Sequence, residues 1–574
     1  MKLLAIAALA YFFCLQFVFP GYVHPLVPHH DDFYFPPGLS YDGHSVGEKL
    51  QWPRPLGFLA MEVFGKLGLD GYLFVLVLIT LANAALTAAL ARRIFGQPIS
   101  WFIALAYCVL LFAHPGFYVD YLHDAFGTLS YFYLILAMHA WYGFRETGDR
   151  RWAAVCAMLL LLIGCTKETY FVSALGFWLI QIYLCRGAQR RMGVLLCAGG
   201  CVFFAAGLAA NMHSMTAVLH VKTDAQSPYH VSLAPAAVIR GFWFYVSRLF
   251  HPAALVLVLS GMAALYRRRE PMIMACTLVA AGAAALLPYA VLPNHLDSMY
   301  AWTGAALAFS PVLFLSRPFH RDGIWRTAAV YAGVTALVFL SIRTGSARYE
   351  EHRWTIAQEK INRNILDSYP ALKGLDRTVR KVLITGLDMP FQPFHTASYI
   401  RAEFGAEREW TVLIPQRAAP KDEAPVRLSP PSAVQLRDYD EAFGFGEDGR
   451  LQGQWTHAQL QQASSREQAD RILFPALNSA FDELAKDSGK WDALLRAGVV
   501  YLKWGELDEA ADYLGRSAER VHDQNPYPAF FLGQVREAQG RIGEARRCYA
   551  DAVALDPGRQ NPAFREALER VRER

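Results

Sequence analysis

Apolar runs alternate with short polar segments along the first 343 residues of this 574-residue chain. A membrane-spanning helix needs about 20 apolar residues, or somewhat fewer where it is tilted. About eleven runs approach this length, and they cover residues 2–20, 71–91, 98–114, 125–143, 152–165, 169–185, 193–210, 251–266, 272–292, 299–315 and 326–342. The pattern predicts an α-helical polytopic membrane domain over residues 1–343.

The first run has features of both a signal peptide and a retained helix. Lys2 precedes a long apolar stretch, but four phenylalanines near its end leave no small-residue cleavage site. We therefore expect a retained anchor. Under either interpretation, the loop over residues 21–70 is delivered to the far side of the membrane.

Basic residues fall in alternate loops between the runs. The clusters are Arg92–Arg93, Arg145 with Arg150 and Arg151, Arg186 with Arg190 and Arg191, Arg267–Arg269, and Arg317 with Arg321 and Arg326. Loops rich in Lys and Arg stay on the cytoplasmic side of a membrane. This rule predicts a cytoplasmic N-terminus, outer loops at 21–70 and 211–250, and an outer region beyond residue 343. In a bacterium, this would be an inner-membrane protein with a periplasmic C-terminal region.

The first outer loop contains a helical pattern. In LQWPRPLGFLAMEVFGKLGL, residues 50–69, apolar residues recur at helical spacing with charged residues between them. Such a pattern is typical of an amphipathic helix in the membrane interface. A loop helix packed on the bundle is a compatible alternative.

A small α/β unit is predicted over residues 344–430. RKVLITGLD, from Arg380 to Asp388, has the pattern of a buried strand that ends in a turn. A helix-compatible stretch, His395 to Phe404, precedes a second predicted strand, Trp410 to Pro415. The segment from Ala418 to Pro431 is rich in proline and charge, which favours a linker or an exposed loop.

The region over 431–574 is predicted to be helical and contains an internal repeat. Gly498, Gly505, Glu509 and Ala510 recur 35 positions later as Gly533, Gly540, Glu544 and Ala545. TPR helix pairs repeat at about 34 residues. We therefore predict TPR-like repeats at about 491–525 and 527–560. They would bind a protein partner or serve as a structural cap.

Composition and charge narrow the range of possible functions. The chain is 54% hydrophobic, and its net charge of only +5 gives no electrostatic support for nucleic-acid binding. Eight of the nine cysteines lie in apolar runs and one, Cys548, lies in the polar tail. This distribution predicts neither a disulfide framework nor a zinc site.

Ionisable residues collect on the predicted outer side of the membrane. Asp31 and Asp32 follow the first run in HHDDFYF, and further candidates lie in later outer segments or at their edges: Asp120, His123, Asp124, Lys167, Glu168, Arg240 and His295. Charged residues at an apolar boundary are costly unless they are paired or functional. The histidines lack the spacing of a zinc site. The outer face is therefore the predicted functional face.

The layout and its short motifs resemble the GT-C glycosyltransferases that use polyprenyl-phosphate sugars, and among them the O-mannosyltransferase type with outer TPR repeats. The motifs are DDFYF, VDYLHDAF, CTKETYF and the segment His295 to Tyr300. In that last segment this chain has NHLDSMYAW, where related chains often have arginine with a tyrosine-rich run. The resemblance implies a GT-C-like membrane domain with an outer α/β unit and TPR repeats.

The resemblance also implies a chemistry. An acceptor hydroxyl must lose a proton as it attacks the sugar, so a carboxylate serves as general base, and Asp31 or Asp32 suits that role. Lys167 is the first candidate to balance the donor phosphate, with Glu168 as its alternative ion-pair partner. A Mg²⁺ or Mn²⁺ ion on Asp31, Asp32 and Asp124 is a further alternative, since hard cations prefer oxygen ligands. No cofactor is certain.

Two functions from different classes are consistent with the residues. The first is an integral-membrane glycosyltransferase that moves a sugar, with inversion, from a polyprenyl phosphate to an acceptor protein, lipid or glycan outside the cytoplasm. The second is a non-catalytic assembly factor, a membrane anchor that presents a TPR platform. A transporter is weaker, because its substrate path would need ionisable residues near the helix centres, which here are almost free of charge.

Overall fold

The computed structural model describes the chain in segments. These are residues 2–14, 56, 59–60, 63–64, 67–96, 98–113, 125–167, 169–202, 232–291, 293, 304–320, 324–349, 353–387, 393–395, 400, 404, 407–416, 421–423, 425–521, 524–556 and 561–572. The chain divides into two compact units, the first ending at Ala357 and the second running from Gln358 to Arg574.

The described part of the first unit is helical. Its helices are α1 Lys2–Phe13, α2 Gly68–Phe95, α3 Trp101–Phe112, α4 Ala125–Thr147, α5 Arg150–Gly164, α6 Thr169–Leu184, α7 over 187–202, α8 Pro235–Leu249, α9 Pro252–Ala263, α10 Arg269–Ala284, α11 Leu287–Ala290, α12 Ala305–Ala308, a 3₁₀ helix Ser310–His320, and α13 Ile324–Tyr349. Each predicted apolar run contains helix in its described part. The described residues at 56, 59–60 and 63–64, within the predicted interfacial segment, are helical as well.

Three described helices are long and apolar enough to cross a membrane: Phe74–Phe95, Arg269–Ala290 and Thr327–Thr344. A bent pair, Pro235–Leu249 with Pro252–Ala263, passes the same test together. Shorter apolar helices cover Lys2–Phe13, Trp101–Phe112, Tyr170–Leu184 and Ala305–Ser316. The count of eleven spans stays a prediction.

Backbones of the first unit approach each other closely at two glycines. A Cβ atom built on Gly261 in α9 would lie 2.1 Å from the carbonyl oxygen of Pro311. One built on Gly282 in α10 would lie 2.6 Å from the carbonyl oxygen of Gly304. Small residues allow backbones to come this close, which is how membrane helices gain packing energy.

The basic ends of two helices form ion pairs with carboxylates on other helices. Arg93 donates two hydrogen bonds to Glu146, at 2.8 and 2.7 Å, and so joins α2 to α4. Arg145 donates to Glu270 at 2.7 Å and joins α4 to α10. The carboxylate partners of Arg93 and Arg145 lie 53 and 125 residues away along the chain, so these ion pairs are not visible in local sequence.

The second unit begins with two helices and a six-stranded sheet. Helices α14 Arg353–Asp367, which straddles the unit boundary, and α15 Tyr369–Lys373 precede strands β1 Lys381–Thr385, β2 Glu409–Leu413, β3 Lys421–Glu423, β4 Val426–Ser429, β5 Glu441–Phe445 and β6 Leu451–Thr456. The strand order is β3-β4-β2-β1-β5-β6. The four inner strands are parallel, whereas β3 and β6 pair antiparallel at the edges.

The structure corrects two expectations about this sheet. The segment Ala418 to Pro431, predicted as a linker or exposed loop, contains β3 and β4, and β4 pairs with β2. Strands β5 and β6 lie beyond residue 430, inside the region predicted to be helical. Pairing with β1 and β2 fixes these short strands, and such pairing is not visible in local sequence.

The central strands β1, β2 and β5 are buried on both faces of the sheet. Val382 and Ile384 of β1 share a hydrophobic core with Ile365 of α14 and Leu372 of α15. The alternating residue Leu383 points to the other face and shares a core with Trp504 from the helical region. Successive side chains of a strand point to opposite faces, so β1 reads as a continuous apolar run.

Helices follow the sheet to the end of the chain. They are α16 His457–Gln462, α17 Arg466–Leu473, α18 Asn478–Lys486, α19 Trp491–Trp504, α20 Leu507–Val521, α21 Pro526–Ala538, α22 Ile542–Ala554 and α23 Pro562–Arg572. Helices α19 with α20, and α21 with α22, form two helix hairpins.

The repeated residues take equivalent places in the two hairpins. A Cβ atom on Gly498 would lie 2.5 Å from Leu514, and one on Gly533 would lie 2.6 Å from Tyr549. Gly505, at φ +85°, ends α19, and its repeat partner 35 residues later also has positive φ. The repeat therefore encodes a helix crossing followed by a tight turn.

Candidate functional site

The described structure includes two of the predicted site residues. They are Lys167 and Arg240. The others lie outside the described residues: Asp31, Asp32, Asp120, His123, Asp124, Glu168 and His295. Their grouping on one face of the membrane stays a prediction.

Lys167 lies in a tight turn at the end of α5. The backbone N–H groups of Thr166 and Lys167 both donate to the carbonyl oxygen of Ile163, each at 3.0 Å. The Thr166 hydroxyl donates to the carbonyl oxygen of Leu162 at 2.6 Å. These bonds satisfy backbone groups that a helix end leaves unpaired, so they fix the turn. The backbone of the half-buried Lys167 therefore has a defined position at the end of α5.

The same turn contacts the first predicted outer loop. The backbone N–H of Leu56 donates to the carbonyl oxygen of Cys165 at 3.1 Å. Leu56 belongs to the segment that follows Asp31 and Asp32 along the chain. This bond holds Leu56 beside the turn that carries Lys167.

Polar side chains form a buried group in α2, α4 and α6. Asn83 of α2 donates to the carbonyl oxygen of Thr128 at 3.0 Å, and the hydroxyls of Thr87 and Tyr131 lie 3.0 Å apart. The Tyr131 ring packs on Tyr170, with centroids 5.7 Å apart. These contacts hold α6, which starts two residues after Lys167, against α4. Polar residues within apolar runs are the sequence signal for such a group, which was not among the predicted sites.

Arg240 lies on α8 and is exposed. Arg248 lies in the last turn of the same helix. It stacks over the Phe244 ring, with its guanidinium carbon 3.6 Å from the ring centroid. It also donates to the Phe244 carbonyl oxygen at 3.5 Å. The Arg248 guanidinium is therefore oriented by its own helix, whereas Arg240 projects outward.

A metal site is the remaining alternative. Within the described ranges, no group of three or more His, Cys, Asp or Glu residues is arranged to hold a metal ion. The predicted ligands Asp31, Asp32 and Asp124 lie outside those ranges. The Mg²⁺ or Mn²⁺ alternative thus stays a prediction.

A second candidate site is a polar cavity of about 320 Å³ in the α/β unit. Its charged lining comes from the starts of β1, β2 and β4 and from the segment before β5: Lys381, Glu409, Arg427 and Asp438. Burial raises the pKa of Tyr439, which also lines the cavity, although a hydrogen bond with Thr411 opposes that shift. With two cations balanced by two carboxylates, the cavity suits a polar ligand of little net charge. This cavity was not predicted from the sequence, because its lining residues come together only when the strands pair.

The backbone beside this cavity is fixed by Asp440. Its carboxylate accepts from the backbone N–H groups of Arg380 at 2.7 Å and Lys381 at 2.9 Å. Partial burial works against ionisation, but these two bonds and nearby positive charge lower the pKa of Asp440 overall. An ionised Asp440 therefore anchors the start of β1.

No family model matches the sequence, and no curated protein matches it. The chain is similar to a crystal structure of ArnT from Cupriavidus metallidurans bound to undecaprenyl phosphate. The two share 15% identity over 72% of this chain and 86% of that chain, with a TM-score of 0.39. At this level of similarity, the GT-C assignment stays a prediction from the residues.

Proposed function

We propose that the chain is an integral-membrane glycosyltransferase of the GT-C type that uses a polyprenyl-phosphate sugar on the non-cytoplasmic face. The observation that carries the proposal is the 3.1 Å bond from Leu56 to Cys165. It joins Leu56, 24 residues after Asp32 along the chain, to the turn of Lys167. In this proposal, the loop before Leu56 brings the carboxylate of Asp31 or Asp32 to the same outer site as Lys167.

The proposed reaction is a single displacement. The acceptor oxygen attacks the anomeric carbon while its proton passes to the carboxylate of Asp31 or Asp32. The bond from that carbon to the phosphate oxygen breaks, and the electron pair leaves with polyprenyl phosphate. Attack from the opposite side inverts the anomeric centre. Lys167 balances the charge on the departing phosphate, which as a good leaving group needs no strong acid.

The second unit has a supporting role in this proposal. We assign α19 to α22 as TPR-type repeats, on the basis of two helix hairpins that repeat every 35 residues with glycines at the crossings. Their surface would bind the acceptor or a protein partner. The sheet, which shares a core with these helices, would hold them in a fixed orientation to each other.

Replacing each aspartate tests the base. Asp31→Asn and Asp32→Asn, made singly in the purified full-length protein, are expected to give at least one variant with transfer reduced by about 10²-fold or more. The matched control is Asp551→Asn on the exposed side of α22, which should keep full activity. Full activity in both aspartate variants would exclude them as the base.

The alternative function is a membrane-anchored assembly factor, favoured by the two helix hairpins. Deleting residues 522–574 discriminates the two functions, because it removes the second hairpin and leaves α19 on the sheet. An enzyme should still transfer sugar to a simple acceptor, whereas an assembly factor should lose its function. Thermal unfolding of the truncated protein checks that the remaining chain is folded.

A further inference from the structure

The polar cavity of the second unit lies at the amino ends of parallel strands. One wall includes Lys381 at the start of β1, Glu409 at the start of β2 and Arg427 near the start of β4. The strand register aligns these starts, since Lys381 lies opposite Glu409 and Trp410 lies opposite Val426. The hydrogen-bonded strands therefore fix the spacing of the three charged residues.

The cavity lies on the face of the sheet that packs against the helices. Side chains two residues apart on a strand point to the same face, so Lys381 lies on the side of Leu383, and Thr411 lies on the side of Leu413. Leu383 and Leu413 belong to the core shared with the helices, and the partly buried Tyr439 packs against that core. At the cavity, the apolar core on this face gives way to polar residues.

The segment between β4 and β5 forms another wall of the cavity. It contains two 3₁₀ helices, Pro431–Ala433 and Leu436–Asp438, and both Gln435 and Tyr439 line the cavity. The side-chain oxygen of Gln435 accepts hydrogen bonds from the Arg437 guanidinium at 3.2 and 2.8 Å. This wall is held in place by its own contacts, and a site formed in advance lowers the cost of binding.

Opposite charges are interleaved along the lining. Lys381 Nζ lies 3.9 Å from Glu409 Oε2, and both side chains are exposed. Burial is the main reason that the pKa of Tyr439 is raised. Nearby Arg427 opposes this shift in pKa, whereas Asp438 and Glu409 add to it, so all three charges act on one hydroxyl. An anion or a cation in this cavity would therefore meet like charge as well as unlike charge.

The opposite edge of the sheet is used for packing. Ligands of open α/β sheets usually bind outside the carboxyl ends of the strands. At the end of β1, the buried Thr385 hydroxyl donates to the Ile472 carbonyl oxygen at 2.8 Å. Just beyond β2, the Gln416 backbone N–H donates to the Trp504 carbonyl oxygen at 2.8 Å. The helical region thus contacts the carboxyl ends of these two strands, whereas the amino ends border an open cavity.

We propose that this cavity binds a saccharide, a neutral ligand whose hydroxyl groups each donate and accept hydrogen bonds. Hydroxyls on adjacent ring carbons accept from Lys381 and Arg427 and donate to the carboxylates of Glu409 and Asp438. One ligand thereby satisfies both kinds of charged group. The volume of about 320 Å³ is within the range of small-molecule sites. The site is built from the second unit alone, so it is additional to the proposed transfer site, and binding there does not depend on glycosyl transfer.

Saturation-transfer difference NMR on the full-length protein tests the proposal, because this method detects weak ligands of large proteins. The protein is kept in a detergent without a sugar head group, so that the probes are the only added saccharides. They are methyl α-mannopyranoside, methyl β-glucopyranoside and N-acetylglucosamine. The dipeptide alanylalanine, a zwitterion, is the probe for a charged ligand of no net charge.

Two exposed residues of the cavity are replaced singly, by Glu409→Ala and Arg427→Met. At least one saccharide is expected to give a signal with the unmodified protein. Each variant should raise the Kd of that saccharide by about 10-fold or more, since each removes hydrogen bonds to a charged group. The matched controls are Glu519→Ala on α20 and Arg547→Met on α22, both at exposed positions, and they should leave the Kd unchanged.

Three outcomes would overturn the proposal. The first is the absence of a signal from every saccharide. The second is a saccharide Kd that is the same in both cavity variants as in the unmodified protein, which would place the binding elsewhere. The third is a signal that depends on the cavity but comes from alanylalanine alone. Asp438→Ala, at another exposed position of the lining, replaces either variant if thermal unfolding shows that it does not fold. A lack of sugar transfer would contradict only the proposed function, because binding is measured here without turnover.

Discussion

Lys167 is the residue whose charge the proposed mechanism uses most directly. Lys167→Met removes that charge and is expected to reduce kcat/KM for the donor by about 10- to 100-fold, with a lower kcat, because the interaction strengthens as charge develops on the departing phosphate and a hydrogen bond to a charged group contributes about 1.5–3 kcal/mol. Lys167→Arg should recover part of this loss. Steady-state kinetics with a polyprenyl-phosphate sugar provide the measurement.

The matched control for Lys167 is Lys486→Met, which removes an exposed lysine from α18 in the second unit. It should leave kcat/KM for the donor unchanged. If Lys167→Met transferred sugar with normal kinetics, Lys167 would instead have a structural role at the end of α5.

Glu483 makes stability depend on pH in the acid range. Hydrogen bonds from Arg496 and Lys490 lower its pKa from 4.5 to about 2. Because the folded-state pKa is depressed, the stabilisation is fully present above about pH 4.5 and is lost as the pH falls towards 2. Glu483→Gln should therefore lower the unfolding temperature at pH 6 and flatten its decline between pH 4.5 and 2.

Thermal unfolding of the full-length protein across that pH range measures the effect of Glu483. Glu519→Gln, at an exposed position on α20, is the control and should reproduce the unmodified pH profile. An unchanged profile for Glu483→Gln would show that solvent screens the pair with Arg496 and Lys490.

Single residues also show what sequence can and cannot predict about a site. Lys167 could be predicted as a site residue, because a charged side chain at the boundary of two apolar runs is costly unless it is paired or functional. The contact of Leu56 with the turn of Lys167 could not be predicted, because the backbone bond to Cys165 joins distant parts of the chain. The lining of the polar cavity, which includes Lys381 and Arg427, was missed for a similar reason: it forms only when β1, β2 and β4 align.

At the scale of elements, local composition predicted some strands and concealed others. β1 and β2 were predicted because KVLIT and EWTVL are apolar enough to be buried on both faces. β4, from Val426 to Ser429, carries an exposed Arg427 among prolines and charges, so its sequence favoured a linker. Pairing with β2 stabilises it as a strand, which is a tertiary effect on weak local propensity.

The crossing of α9 with the 3₁₀ helix depends on Gly261. Gly261→Ala would bring a Cβ atom to 2.1 Å from the Pro311 carbonyl oxygen, so one backbone must move. Overpacking of this kind costs about 1–3 kcal/mol or more. We expect a lower unfolding temperature for purified protein in detergent.

Gly176→Ala in α6 is the matched control for Gly261→Ala, because a Cβ atom there would meet nothing within 4 Å. It should leave the unfolding temperature unchanged or slightly higher, since alanine favours helix over glycine. Equal unfolding temperatures for the two variants would contradict the close approach at Pro311.

At the scale of the whole molecule, the second unit is held together by one continuous set of contacts between sheet and helices. Leu383 and Leu413 from the sheet share a core with Tyr501 and Trp504 of α19. The backbone N–H of Gln416 donates to the carbonyl oxygen of Trp504 at 2.8 Å. A boundary at residue 430, which the change in sequence pattern suggested, therefore separates segments that fold against each other.

This shared core predicts that damage to α19 reaches the sheet. Trp504 is 3% exposed, so Trp504→Ala should cost about 3–5 kcal/mol and speed hydrogen exchange at the amides of β1 and β2. Trp491, on the same helix, is 38% exposed, so Trp491→Ala should change those amides far less. Hydrogen exchange with mass spectrometry on the full-length protein measures both. If Trp504→Ala accelerated exchange in α19 and α20 but left β1 and β2 protected, the hairpin would be an independent domain, and the shared core would contribute little to the stability of the sheet.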